Sequence, residues 1–159
     1  MFRNKIKKLA ELKKIIKNIR KQEKKIVFTN GCFDILHVGH LRLLEQSKRL
    51  GDCLVVAVNA DRSIKKIKGS LRPIQSEQDR AELCAGLKPV DYVIIFKEET
   101  PACIIKELKP DILVKGGDWK KNSIVGRDVV KKVVRVPLVK GRSTSAIINK
   151  IKKNKKQDF

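Results

Sequence analysis

The only two histidines of this 159-residue chain stand three residues apart, in His37-Val38-Gly39-His40, just after a short apolar β-forming run (Ile26, Val27, Phe28) that breaks at Asn30-Gly31. Two imidazoles near one helix start can donate hydrogen bonds to the oxygens of a bound anion, where free backbone N–H groups and the helix dipole already favour negative charge. Gly39 between them removes a side chain that would block close approach of a ligand. A zinc pair is the competing reading of the same two residues. It lacks partners, because Cys32, Cys53, Cys84 and Cys103 are scattered and show no CxxC spacing.

Three further groups have the right chemistry for phosphate. Arg142-Ser143-Thr144-Ser145 opens a segment with apolar residues at helical spacing (Ile147, Ile148, Ile151), and hydroxyls with free N–H groups beside a guanidinium suit a polyphosphate. Residues 61–80 carry Lys65, Lys66 and Lys68 on a short helical piece and Arg72 in a Gly-Ser-Pro loop, and read as a mobile lid. Lys115-Gly116-Gly117-Asp118-Trp119 ends a β run with two glycines that permit backbone approach to a ligand. Arg80 is placed unusually, in the first turn of a helix opened by Ser76 and Asp79. A cation there opposes the dipole, so an anion or a neighbouring carboxylate such as Glu77 must offset it.

The elements that position these groups alternate. A helix is expected over 5–20, a strand from Ile26, helical spacing from Leu41 to Leu50, and a buried strand over 53–60. A helix from Ser76 to about Leu87 follows, then a strand over 91–96, a helix capped by Thr100-Pro101 and closed before Pro110, and a strand over 111–115. A short helix over 124–131, a strand over 133–137 and the helix after Arg142 complete the series. Such βαβ units place ligands beyond the carboxyl ends of parallel strands, where His37, His40 and Lys115 all lie.

Composition bounds the rest. The length suits one domain, with a basic amphipathic helix in residues 1–25, the main domain over 26–150 and a basic tail over 151–159. The net charge of +21 is mostly peripheral: residues 1–25 carry 11 basic against 2 acidic residues. Lysine-rich ends with almost no aromatics to stack bases do not make a specific nucleic-acid reader. No run of 18 apolar residues occurs, and the N-terminus is charged where a signal peptide is apolar, so a cytoplasmic protein without a membrane segment is expected. Unpatterned cysteines fit a reducing compartment, and no disulfide is expected.

TNGCFDILHVGH, IKGSLRPI, EQDR, DYVIIF, ILVKGGDW, IVGRDVV and GRSTSAII, in that order between Ile26 and Ile148, resemble the HxGH nucleotidyltransferases, in particular those that make ADP-heptose from heptose 1-phosphate. The resemblance implies a Rossmann-like open parallel five-stranded sheet with helices on both faces. It also implies transfer of the adenylyl group of ATP to a sugar 1-phosphate with release of pyrophosphate. His37, His40, Lys68 and Arg72 would be catalytic. Thr29, Asn30, Gly31, Phe33, Asp34, Gly116, Asp118, Arg142, Ser143, Thr144 and Ser145 would hold the nucleotide, and Arg80 and Lys115 the acceptor. Mg²⁺ would arrive with the triphosphate, no protein-built metal cage being expected. Many relatives are fused to a sugar kinase, so this chain looks like a stand-alone form whose kinase is a separate protein, and a homodimer is expected by analogy. Trp119 departs from the family's usual Tyr and is similar to the glycerol-3-phosphate cytidylyltransferases, which use CTP; that is the alternative. An aminoacyl-tRNA synthetase fragment would need a KMSKS-like loop and room for tRNA recognition, neither of which is present.

Overall fold

The computed structural model describes residues 1–117 and 123–154. Its longest fully buried strand is β2 (Cys53–Asn59), seven consecutive buried residues. A strand buried on both sides must be apolar or small, which is what CLVVAV supplies, and the buried Asn59 at its end donates to Ser63 Oγ (2.9 Å). On one side β2 pairs in parallel with β1 (Ile26–Gly31), and on the other with β3 (Tyr92–Phe96). β4 (Ile112–Gly116) lies against the far side of β1, and β5 (Lys132–Val136) closes the row. The order is β3-β2-β1-β4-β5, all parallel, so the direction of winding reverses between β1 and β4. The crevice beyond the strand ends at that reversal is where such sheets take ligands.

Helices cover both faces. Leu12 and Ile16 of α1 (Leu9–Lys21) and Ile104, Ile105 and Leu108 of α5 (Ala102–Leu108) pack on Phe28, Val55 and Leu113. Leu44 of α2 (Val38–Lys48) and Ala81, Cys84 and Ala85 of α4 (Glu77–Gly86) pack on Val27, Val56 and Val114. α3 (Asp61–Lys68) follows β2, and α6 (Thr144–Asn154) follows β5. The apolar stripe of α1 is thus spent inside the same domain, since Leu12 is fully buried. No described helix is long and apolar enough to cross a membrane.

Several expected boundaries move, each for a local reason. The first helix starts at Leu9 instead of residue 5, because Ile6 bridges to Val93 and Lys7 N–H donates to the Val93 carbonyl (2.8 Å). Two extended residues at the sheet edge cannot also be helical. The helix expected over 124–131 is a series of turns. Gly126 adopts φ +87°, and a Cβ there would meet Ile105 at 2.7 Å, so close packing on α5 dictates the backbone. The helix after Thr100 begins one residue later than its capping pattern indicates, with Pro101 at the cap position.

Candidate active site

β1 ends in a turn whose buried residue Phe33 has φ 47°, a left-handed conformation that non-glycine residues rarely take. The turn tucks the Phe33 ring beneath Gly31, where a Cβ would come within 3.2 Å of it, and tilts it against His40 with 5.3 Å between ring centroids. His37 is the cap of α2, and its Nδ1 accepts the Gly39 N–H at 3.1 Å. The His37 N–H donates in turn to His40 Nδ1 at 3.4 Å. With both Nδ1 atoms accepting, each imidazole carries its proton on Nε2. The rings are stacked 3.9 Å apart.

Both rings are uncharged at neutral pH. Burial, followed by the nearby charges of His37 and Lys68, pushes His40 down to about 4, and burial also lowers His37. Lys68 at the end of α3 is therefore within electrostatic reach of the pair. Gly39 serves a different purpose from the one its spacing indicates. A Cβ there would lie 2.9 Å from the His37 ring, so the missing side chain makes room for the imidazole and not for the ligand.

The start of α6 faces this corner. Thr144 Oγ1 donates to the Ile35 carbonyl (3.3 Å), and Ser143 Oγ accepts from Ala146 N–H (3.1 Å). Between α2 and α6 opens a cleft of about 770 Å³ lined by His37, Arg42, Lys140, Arg142 and Lys150, with no carboxylate among the described residues of its wall. Arg42, Lys140 and Lys150 escape a motif search. The signal was present in helical spacing, since Lys150 lies one turn beyond Ala146 and Ile147, which also line the cleft.

Other residues singled out by sequence are spent on the protein itself. Arg80 is completely buried, and its guanidinium donates to the carbonyls of Gln75 (3.0 Å), Cys32 (2.5 Å) and Asn59 (2.7 Å) and to Asp61 Oδ1 (2.7 Å). The offsetting carboxylate is Asp61, not Glu77, and a guanidinium so enclosed has no face for an acceptor phosphate. Asp34 is 1% exposed, which takes its carboxylate out of nucleotide contact. It accepts from Arg72 Nε (2.7 Å) and from the N–H groups of Ile74 (2.8 Å) and Gln75 (3.0 Å), which hold its pKa below the usual range against the opposing effect of burial. The expected lid is thereby tied down at residues 72–75, while Leu71 projects at 84% exposure. Thr29 is buried and donates to the Val114 carbonyl (3.0 Å). Lys115 is 5% exposed and donates to Asn30 Oδ1, so its ammonium does not reach into the crevice as a free cation. Gly31 and Gly116 end neighbouring strands at the crevice, and Ser145 is exposed in the first turn of α6. Asp118 and Trp119 lie outside the described residues. Among the described residues no three His, Cys, Asp or Glu side chains cluster as a metal site.

Neutral imidazole donors at one helix start, cations at another and a winding reversal between them suit a phosphate-bearing ligand at the strand ends of a parallel sheet. The chain belongs to the cytidylyltransferase-like family, whose profile matches residues 28–157. It is 52% identical, over 140 residues and 88% of its length, to the "Bifunctional protein HldE" of Wolinella succinogenes, of which it covers 30%. The chain thus spans about a third of the length of the curated relatives it matches. A solved structure, the lipopolysaccharide core biosynthesis protein of Thermoplasma volcanium, superposes with a TM-score of 0.63 at 37% identity, covering 73% of this chain and 98% of that one. The pantoate-beta-alanine ligase of Francisella tularensis shares the fold, with a TM-score of 0.62 at 18% identity over 88% of this chain and 68% of that one.

Proposed function

We propose that this chain transfers the adenylyl group of ATP to heptose 1-phosphate, giving ADP-heptose and pyrophosphate for a heptose-containing glycan such as lipopolysaccharide core. The observation that carries the reading is the stacked, neutral imidazole pair with both Nε2–H groups available. A phosphate monoester has its second pKa near ~6, so the acceptor is already largely dianionic at neutral pH and needs no general base. Its oxygen attacks the α-phosphorus in line and pyrophosphate leaves. His37 and His40 donate to oxygens around that phosphorus, where charge redistributes in the transition state, an effect typically worth roughly 3–4 kcal/mol per well-placed donor. Arg142, Ser143 and the free N–H groups at the start of α6 hold the β- and γ-phosphates, helped by Lys140. Lys68 and the Nη groups of Arg72, whose Nε is fixed by Asp34, add positive charge from the tied-down segment after α3. A cleft whose described lining is cationic suits a triphosphate that would bring its own Mg²⁺ to neutralise part of its charge. Arg80 acts as a positioning residue that ties the turn after β1 to the base of the lid.

Support for the sugar comes from the TNGCFD, VKGGD and IVGRDVV segments, from the half-identical relatives and from the likeness to the lipopolysaccharide core biosynthesis protein of Thermoplasma volcanium. The setting is the cytoplasm, with heptose 1-phosphate supplied by a sugar kinase. The active form is a homodimer built on surfaces other than the buried stripe of α1; a monomer by light scattering at micromolar concentration would refute that part. The principal test is pyrophosphate release. ATP with heptose 1-phosphate should react far faster than CTP with glycerol 3-phosphate. The reverse preference would sink the substrate assignment, and no release with any acceptor would sink the activity.

A further inference from the structure

The nucleotide's phosphates have their partners at α2, α6 and the lid, but an in-line reaction also needs something to hold the acceptor on the opposite side of the α-phosphorus. The reversal between β1 and β4 offers it. Thr29 pairs with Val114 in the parallel register, so Asn30 and Lys115 are neighbours at the two strand ends. Side chains alternate across a sheet. Ile26, Phe28 and Leu113 face α1 and α5, so Asn30 and Lys115 continue that face. Val27 and Val114 face α2 and α4, the side from which the imidazoles rise.

Lys115 is buried to 5% exposure and donates to Asn30 Oδ1. An ammonium can only donate, so this contact decides the orientation of the carboxamide: Oδ1 faces the lysine and Nδ2 faces away from it. Among the described residues no acceptor meets Nδ2, and Asn30 itself is only half-buried at the crevice. Two N–H donors on a neutral group are thus held, pre-oriented, at the winding reversal.

We propose, on the basis of the nucleotidyl-transfer reading, that the Asn30 amide is an acceptor-recognition group, donating to oxygens of the sugar phosphate from the face opposite the imidazoles, and that Lys115 is its positioning residue. This replaces the nucleotide role that resemblance implies for Asn30 and the direct phosphate contact it implies for Lys115. A neutral, directional donor pair discriminates among sugar oxygens, which a free cation does poorly. The cationic groups remain for the triphosphate.

The test uses the full chain with Asn30→Asp, which preserves shape and gives Lys115 a carboxylate partner but deletes both N–H donors. KM for the sugar phosphate should rise about tenfold, the equivalent of one hydrogen bond, while KM for ATP stays within about twofold. Lys115→Met, which frees the amide to rotate, should move the same constant in the same direction. It keeps the assignment testable if Asn30→Asp does not fold. An active wild type whose variants leave the acceptor KM unchanged, or weaken ATP equally, overturns the acceptor role alone. A wild type that releases no pyrophosphate with any sugar phosphate overturns the transfer reading and this inference with it.

Discussion

The starts of α2 and α6 meet across one cleft, yet they are built from opposite materials. At α2 the ligand-facing groups are two uncharged imidazoles, packed against Phe33 and each other, with one ring nitrogen of each already engaged by the protein. At α6 they are exposed cations and hydroxyls, with Arg142 and Ser143 at the surface and Lys140 and Lys150 beside them. The first corner is rigid and neutral, and the second is charged and open. On the proposed function, the contrast follows from what each corner would recognise. Triphosphate charge exists before reaction, and flexible cations would bind it in ground state and transition state alike, lowering KM. Charge moving around the α-phosphorus exists only during reaction, and donors fixed in advance stabilise it selectively, raising kcat.

Substitutions at the two corners should therefore separate kinetically. The largest effect is expected from His40→Ala, with kcat falling by roughly 10²–10³-fold and KM for ATP little changed, measured by pyrophosphate release at saturating substrates. Because His40 packs on Phe33, the same change also lowers Tm. An equal rise in KM would show the neutral corner to be a ground-state binder and erase the contrast. Gly39→Ala is expected next. Its Cβ must displace the His37 ring, and misplacement of a catalytic group by a fraction of an ångström should cost roughly ten- to a hundredfold in kcat with the helix retained by circular dichroism.

Arg142→Ala should raise KM for ATP by about tenfold, the value of one charge-assisted hydrogen bond, with kcat nearly unchanged. Added salt should weaken wild-type ATP binding more than that of the variant, and equal sensitivity would contradict the cationic role. The smallest effect concerns stability. Folded His40 titrates at about 4 whereas the unfolded chain takes up that proton near its ordinary 6.5, so between these values the unfolded state binds more protons. Stability should fall as pH drops through that window. His40→Asn should flatten the slope of the urea midpoint between pH 6.5 and 4.5, and an unchanged slope would mean that burial does not hold the imidazole neutral.

Much of the proposed catalytic corner is readable in one dimension. The His37 to His40 spacing, the strand before it and the Ser76 cap with Asp79 involve residues within a few positions of one another, and Ser76 Oγ does accept the Asp79 N–H at 3.2 Å. Gly39 was legible as necessary but not in its reason, because the neighbour that needs the space is the His37 ring folded back over it. Arg80 and Asp34 were legible as charged residues in functional surroundings, and their partners were not.

The sequence by itself determined the alternation of strands and helices and the helix starts beside His37 and Ser143, since these rest on periodicities of two and about 3.6 residues and on local capping, whereas the expected reaction class came from the resemblance of its ordered motifs. The tertiary structure alone decided which polar side chains face a ligand and which are consumed by the protein. Arg72 meets Asp34 across 38 residues, Arg80 meets Cys32 across 48, and Lys115 meets Asn30 across 85. A buried donor or acceptor must find a partner wherever the fold places one, and no local rule reports that distance.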